Sequence, residues 1–220
     1  MNPDEPGSSA AAVHAPPDGA SAALVRLADG VRRLIDVTVS VRASRETLDA
    51  AAEQVETLVT ALRAHVPDPP PSRYPTSGDS TDPASFFPYD VVMGRLNPLA
   101  APIRVLWNDP KAIATVRFGT AYEGPPGCVH GAVIAASFDQ VFNVANLMAG
   151  TPGPTARLEV RLKRPTPLHT EVRFEGWRER IEGRKVFAAG QLLAGDVLTA
   201  EAEGLFILVS AERVMRLLQP

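Results

Sequence analysis

The sequence predicts an α+β domain in which one antiparallel sheet curls around one long apolar helix, and three observations lead there. From Gly131 to about Ala149 the chain is almost wholly apolar. Val133, Ile134, Phe138, Val141, Phe142, Val144, Leu147 and Met148 spread around most of a helical circumference, so this helix is buried on most sides. After Thr151-Pro152-Gly153-Pro154 the period switches to two: Ala156, Leu158, Val160 and Leu162 alternate with Arg157, Glu159, Arg161 and Lys163, the pattern of a half-buried strand. Pro165-Thr166-Pro167 ends it. Three more strand-like runs follow at 172–180, 184–193 and 197–209, parted by the hairpin signals Glu182-Gly183 and Gly195-Asp196. With a further strand at 112–119, the order is strand, helix, then a meander of four strands, which argues for an α+β layer architecture.

The segments before that domain read differently. Residues 1–19 are rich in Pro, Gly, Ser and Ala and predict a disordered N-terminus. A helical extension covers residues 20–66. Its first part carries Leu24, Leu27, Val31, Leu34 and Ile35 on one face; a break falls at 41–45, where Ser44 can cap a second helix with Glu46 in its first turn. Leu48, Ala52, Val55, Leu58, Val59 and Leu62 form the second apolar stripe. This reads as a helical hairpin or one long bent helix, and a hairpin of this size cannot bury both stripes alone, so it must pack on the main domain or on another subunit. Pro67, Pro69, Pro70, Pro71, Pro75, Pro83 and Pro88 then predict a semi-rigid linker over residues 67–88. The main domain occupies 89–210, and 211–220 form a C-terminal tail.

Bulk properties exclude several classes. A hydrophobic content of 45% with 21% charged residues is that of a globular protein. A net charge of -3 gives no support for a nucleic-acid partner. No run approaches the ~18 apolar residues of a membrane span. One cysteine, Cys128, excludes an internal disulfide, and the N-terminus lacks the basic and apolar regions of a signal peptide, so a cytoplasmic location is expected.

Chemistry concentrates between Tyr122 and Gly150. Tyr122-Glu123-Gly124-Pro125-Pro126-Gly127-Cys128-Val129-His130-Gly131-Ala132 is a Gly/Pro-rich loop delivering backbone amides to a helix start, a ready site for developing negative charge. Asp139 is the lone acid of the helix, and no Lys or Arg stands between Arg117 and Arg157. A carboxylate in apolar surroundings is suited to act as a base on water, and the combination points to acyl transfer to water. Asp139, Asn143 and Asn146 form a narrow polar stripe that must face water or a site. Cys128 and His130 lack the further ligands that zinc requires, and Ser137 lies in no Gly-x-Ser-x-Gly elbow. No metal is expected, nor any cofactor.

Arg95-Leu96-Asn97-Pro98, Tyr122-Glu123-Gly124-Pro125-Pro126-Gly127, Val129-His130-Gly131-Ala132, Asp139, Thr155-Ala156 and Arg164-Pro165-Thr166-Pro167-Leu168 together resemble the hot-dog-fold acyl-CoA thioesterases, in the branch of the phenylacetate-pathway and mitochondrial enzymes. The resemblance covers about residues 88–209. It implies a hot-dog fold and hydrolysis of an acyl-CoA, or an acyl-carrier-protein thioester, to a carboxylic acid and a thiol, within fatty acid metabolism. It makes Asp139 the acid that orients or activates water, with general base and direct nucleophile both open, Gly131 and Ala132 the amide donors to the thioester oxygen, His130 the residue shaping that turn and positioning the thioester, and Thr155 the hydroxyl holding the water. It further implies a homodimer or dimer of dimers, with Gly131 and Ala132 of one subunit facing Asp139 and Thr155 of the other. The family's second glycine is Ala132 here, which keeps the amide but adds a methyl group. Coenzyme A phosphates need cations, for which Arg161, Lys163 and Arg164 are candidates; Phe138 and Phe142 are candidates for the acyl tunnel. Two rivals remain at this point: a hot-dog hydratase or dehydratase, whose acid is closely followed by a histidine, and a non-catalytic acyl-CoA-binding or assembly module.

Overall fold

The computed structural model describes residues 20–68 and 82–209. The expected disordered start, the tail, and the linker prolines Pro69, Pro70, Pro71 and Pro75 lie outside the described residues. Two helices come first, α1 at Ala20–Thr38 and α2 at Arg45–Arg63. The domain follows with β1 at Arg104–Asn108, β2 at Lys111–Arg117, α3 at Gly131–Met148, β3 at Thr155–Leu162, β4 at Glu171–Glu182, β5 at Lys185–Ala194 and β6 at Val197–Ile207. A 3-10 turn at Pro83–Phe86 already belongs to the domain, since Ala84 packs into its core. β1 carried no sequence signal.

The six strands form one antiparallel sheet in the order β1-β2-β4-β5-β6-β3, wrapped around α3. The expected four-strand meander is therefore corrected: only β4, β5 and β6 are sequential neighbours, and β3 lies at the far edge beside β6. The connection after β3 explains why. It runs back across the start of α3, where Thr166 O accepts from Val129 N at 2.9 Å, Gly127 O accepts from Leu168 N at 3.0 Å, and Phe118 O accepts from His169 N at 2.9 Å. It thereby delivers β4 beside β2. Gly183 (φ 59) and Gly195 (φ 58) take the left-handed conformation at the two hairpin turns, as Glu182-Gly183 and Gly195-Asp196 predicted.

The core is aromatic. Phe118, Phe138, Phe142, Phe174 and Phe206 are all fully buried. Phe138 meets Phe174 edge to face at 5.1 Å between centroids, and Phe142 meets Phe206 at 6.3 Å. Phe142 lies in a trough formed by Gly176, Gly190 and Gly204, one from each of β4, β5 and β6. A Cβ at those positions would stand 3.0, 2.6 and 2.9 Å from its ring. The absent side chains let the sheet close on the helix.

The N-terminal helices part company. α1 docks on the domain: Ala28 is buried, and the Arg32 guanidinium donates to the carbonyls of Ala100 at 2.8 Å, Asn97 at 2.9 Å and Arg95 at 3.1 Å while pairing with Asp29. Asp36 Oδ1 accepts from Ala121 N at 3.2 Å. α2, capped by Ser44 as predicted, has no buried residue. No helix among the described residues is long and apolar enough to cross a membrane.

Candidate active site

The loop before α3 is held by its own backbone. Gly124 N donates to Cys128 O at 2.9 Å, Cys128 N to Pro125 O at 2.9 Å, and His130 N to Tyr122 O at 2.9 Å. Glu123 Oε1 accepts from Gly127 N at 2.7 Å. This carboxylate clamp had one sequence signal, an acid four residues before a glycine, which in the structure takes positive φ (Gly127, φ 72). Gly124 presses against His130 so closely that a Cβ there would stand 2.7 Å from the His130 Cα. Most amides expected to await a ligand are thus consumed within the loop.

His130 is the N-cap of α3, with φ -64 and ψ 134, and its Nδ1 accepts from Ala132 N at 3.0 Å. An accepting Nδ1 leaves the ring proton on Nε2, pointing away from the helix. The structure corrects one expectation here: the Ala132 amide is taken by its own N-cap. The Gly131 N–H has no protein acceptor among the described residues. The extra methyl of Ala132 brings no strain, because this residue lies in the first helical turn without positive φ.

Two turns on, the half-buried Asp139 meets the exposed Thr155. Thr155 Oγ1 donates to Asp139 Oδ1 at 2.7 Å, and Asn143 Nδ2 donates to the Asp139 carbonyl at 3.0 Å. A strict period of two would have put Thr155 on the outer face with Arg157 and Arg161. A β-bulge prevents this: Thr155 pairs with Phe206 and Arg157 with Leu205, so Ala156 is the extra residue. The bulge turns Thr155 toward the helix. This also corrects the reading of Ala156 as part of the alternating apolar face.

The remaining expected residues are dispersed. On the outer sheet face Arg161 pairs with Glu159 at 2.8 Å and Glu203 at 3.5 Å, and Lys163 pairs with Glu201 at 2.7 Å. The guanidinium of Arg161 is held still more firmly in its charged form, chiefly by the Glu159 hydrogen bond. Arg164 forms no ion pair among the described residues and donates to Leu198 O at 3.1 Å. Its segment crosses the start of α3, where Leu162 lies against Gly131. Phe138 and Phe142 pack in the core, with no exposed surface to offer a ligand. Ser137 donates to Val133 O at 2.8 Å and is buried, so it offers no nucleophile. Sequence reasoning missed Arg178, whose Nη1 donates to the C-cap carbonyl of α3, Ala149 O, at 2.7 Å and sets a cation at that helix end. Among the described residues no cluster of three His, Cys, Asp or Glu could hold a metal ion.

Asp139 follows Gly131 by eight helical steps, about 12 Å along the axis. One chain cannot bring both to the same carbonyl. The chain thus presents two separate groups: an amide and an imidazole at the helix start, and a hydroxyl-bound carboxylate two turns later.

No family model matches the chain. Acyl-coenzyme A thioesterase THEM4 of Xenopus laevis is 40% identical over 91 residues, spanning 40% of this chain and 41% of the relative. THEM4 of Bos taurus is 33% identical over 109 residues, spanning 48% of this chain and 45% of the relative. The chain therefore spans less than half the length of the curated relatives it matches. A crystal structure of a thioesterase superfamily protein is 32% identical with a TM-score of 0.74, over 89% of this chain and 94% of that one. Identity at that level over nearly the whole of both chains, on a sheet wrapped around one helix, identifies this hot-dog protein as a member of the thioesterase superfamily.

Proposed function

We propose that this chain hydrolyses an acyl-CoA thioester to a carboxylic acid and free coenzyme A, at a site completed by a second copy of itself. The observation that carries the reading is the Thr155–Asp139 pair at 2.7 Å, set about 12 Å from an open helix N-terminus. In this mechanism Asp139 takes a proton from a water oriented with the help of Thr155, and the resulting hydroxyl adds to the acyl carbon. The thioester oxygen becomes an oxyanion that accepts from the Gly131 N–H and the His130 Nε2–H of the other copy. Collapse expels the thiolate, which recovers the proton. A donor of this kind contributes about 3 kcal/mol to the transition state, and a positioned base about 10²–10⁴-fold in rate. Arg164 is the cation best placed for a coenzyme A phosphate, since Arg161 and Lys163 are neutralised by glutamates. The second copy would add across β3, the sheet-edge strand, whose residues are mostly exposed. The names of the curated relatives support acyl-CoA as the substrate class. No histidine follows Asp139 before His169, which disfavours the hydratase reading.

Thiol release from short, medium, long and aromatic acyl-CoAs tests the reaction, and mixing two dead variants tests the shared site. Asp139→Asn removes the base. Gly131→Pro removes the amide at the first helical position, where proline is tolerated, and His130 already has the extended backbone that precedes a proline. Each variant alone is expected to lose at least about 10²-fold in kcat. Mixed after unfolding and refolding together, they should recover roughly a quarter of the wild-type rate, because half the dimers then hold one intact site of two. No recovery would overturn the shared site; full activity of Asp139→Asn would overturn the base.

A further inference from the structure

We infer that α2 is an interaction surface for a second copy of this chain, pairing antiparallel with the α2 of that copy. Leu48, Ala52, Val55, Val59 and Leu62 recur at alternating four- and three-residue steps, the 3.5-residue period of a two-helix seam. Among the described residues this seam has no partner. No residue of α2 is buried, and Leu48, Val55, Val59 and Leu62 stand 45, 37, 41 and 42% exposed, with Leu58 beside them at 46%. In proteins most helical stability comes from packing an amphipathic face, so this bare stripe calls for a packing partner. The neighbouring α1 cannot be that partner, because Arg32, Asp36 and Ala28 commit it to the domain.

Charge selects the occupant and its direction. Glu46, Asp49 and Glu53 outnumber Arg45, which pairs with Asp49 at 3.3 Å, so the first half of α2 is net acidic, while Glu56 and Arg63 balance in the second. Parallel pairing would set the two acidic halves side by side. Antiparallel pairing in the register that opposes Val55 to Val59 and Ala52 to Leu62 of the second copy places Asp49 near Arg63 on one flank, twice by symmetry. On the other flank Leu58 meets Leu58 at the two-fold axis. Glu56 meets its own copy at the rim, where solvent screens the repulsion. This contact involves neither β3 nor the proposed site, so it is separate from the dimer of the proposed reaction and would join two such dimers.

Cysteine crosslinking in the full chain separates the arrangements. In a Cys128→Ser background, Leu58→Cys should give a covalent dimer under mild oxidation on a non-reducing gel, and Val55→Cys should not. Light scattering should show a twofold drop in mass for Val55→Asp and for Leu62→Asp relative to wild type, with the helical circular dichroism of the domain retained. Crosslinking by Val55→Cys instead of Leu58→Cys would overturn the antiparallel register. A mass unchanged by both aspartates, or a Leu58→Cys chain that stays single, would overturn the interface and assign the seam to another occupant, such as residues 210–220 of the same chain.

Discussion

Replacing Phe142 by alanine decides whether this side chain holds the core together or touches the acyl group. The ring is fully buried between Phe138 and Phe206 and rests on Gly176, Gly190 and Gly204. Removing a core phenylalanine costs about 3–5 kcal/mol, depending on how far the surroundings collapse. Here three of the walls are glycine backbone held in paired strands, with no side chains to relax into the gap, so the upper half of that range is expected. With a urea slope of ~2 kcal/mol/M, a loss of about 4 kcal/mol lowers the unfolding midpoint by about 2 M. Gly176→Ala supplies the complementary perturbation. Its Cβ would stand 2.8 Å from Val141 Cγ1 and 3.0 Å from Phe142 Cδ1, an overpacking worth about 1–3 kcal/mol. In the Phe142→Ala background part of that clash is gone, and a coupling of about 1 kcal/mol should appear in the double-mutant cycle. Urea denaturation followed by fluorescence measures all four chains, and an acyl-CoA panel on the folded variants should show an unchanged chain-length preference. If Phe142→Ala costs less than about 1 kcal/mol while shifting the preferred acyl length, the trough argument fails and Phe142 lines the substrate.

Two further outcomes follow from contacts outside the proposed site. Arg32→Lys keeps the charge but loses the planar fork that reaches Ala100, Asn97 and Arg95 together. It should destabilise by about 2 kcal/mol and make α1 more susceptible to limited proteolysis than the domain, whereas an unchanged digestion pattern would show that α1 is held some other way. The buried Glu175 carboxylate is held below its usual range mainly by the Lys111 hydrogen bond, helped by Gln191 and Arg173 and opposed by burial. A lowered folded-state value means that this stabilisation is complete above the ordinary glutamate value near ~4.3 and is lost as pH falls below it. Wild type should therefore lose stability more steeply than Glu175→Gln on acidification through that window, and parallel curves would rule the network out as a contributor.

Wherever the information is local, it was legible in the chain. The apolar circumference of α3, the Ser44 cap of α2, the glycines of the two hairpin turns and the lone Asp139 each follow from a few neighbouring residues, and each is found in the structure. The short β1 was invisible because its five residues run between Pro102 and Pro110 with little alternation, and only pairing with β2 makes them a strand. Long-range pairing decided the rest. The chain's return across the start of α3 puts β3 at the sheet edge, and one extra residue against β6 turns Thr155 to Asp139. The imidazole of His130 claims the Ala132 amide, and three glycines far apart in sequence meet around Phe142. By itself the sequence determined which segments are helix or strand and which acid stands alone on the helix, because periodicity and turn chemistry act over a few residues. Which face each side chain takes and which amide stays open were decided by the tertiary structure, because register, bulges and competition for hydrogen bonds exist only once distant strands have paired.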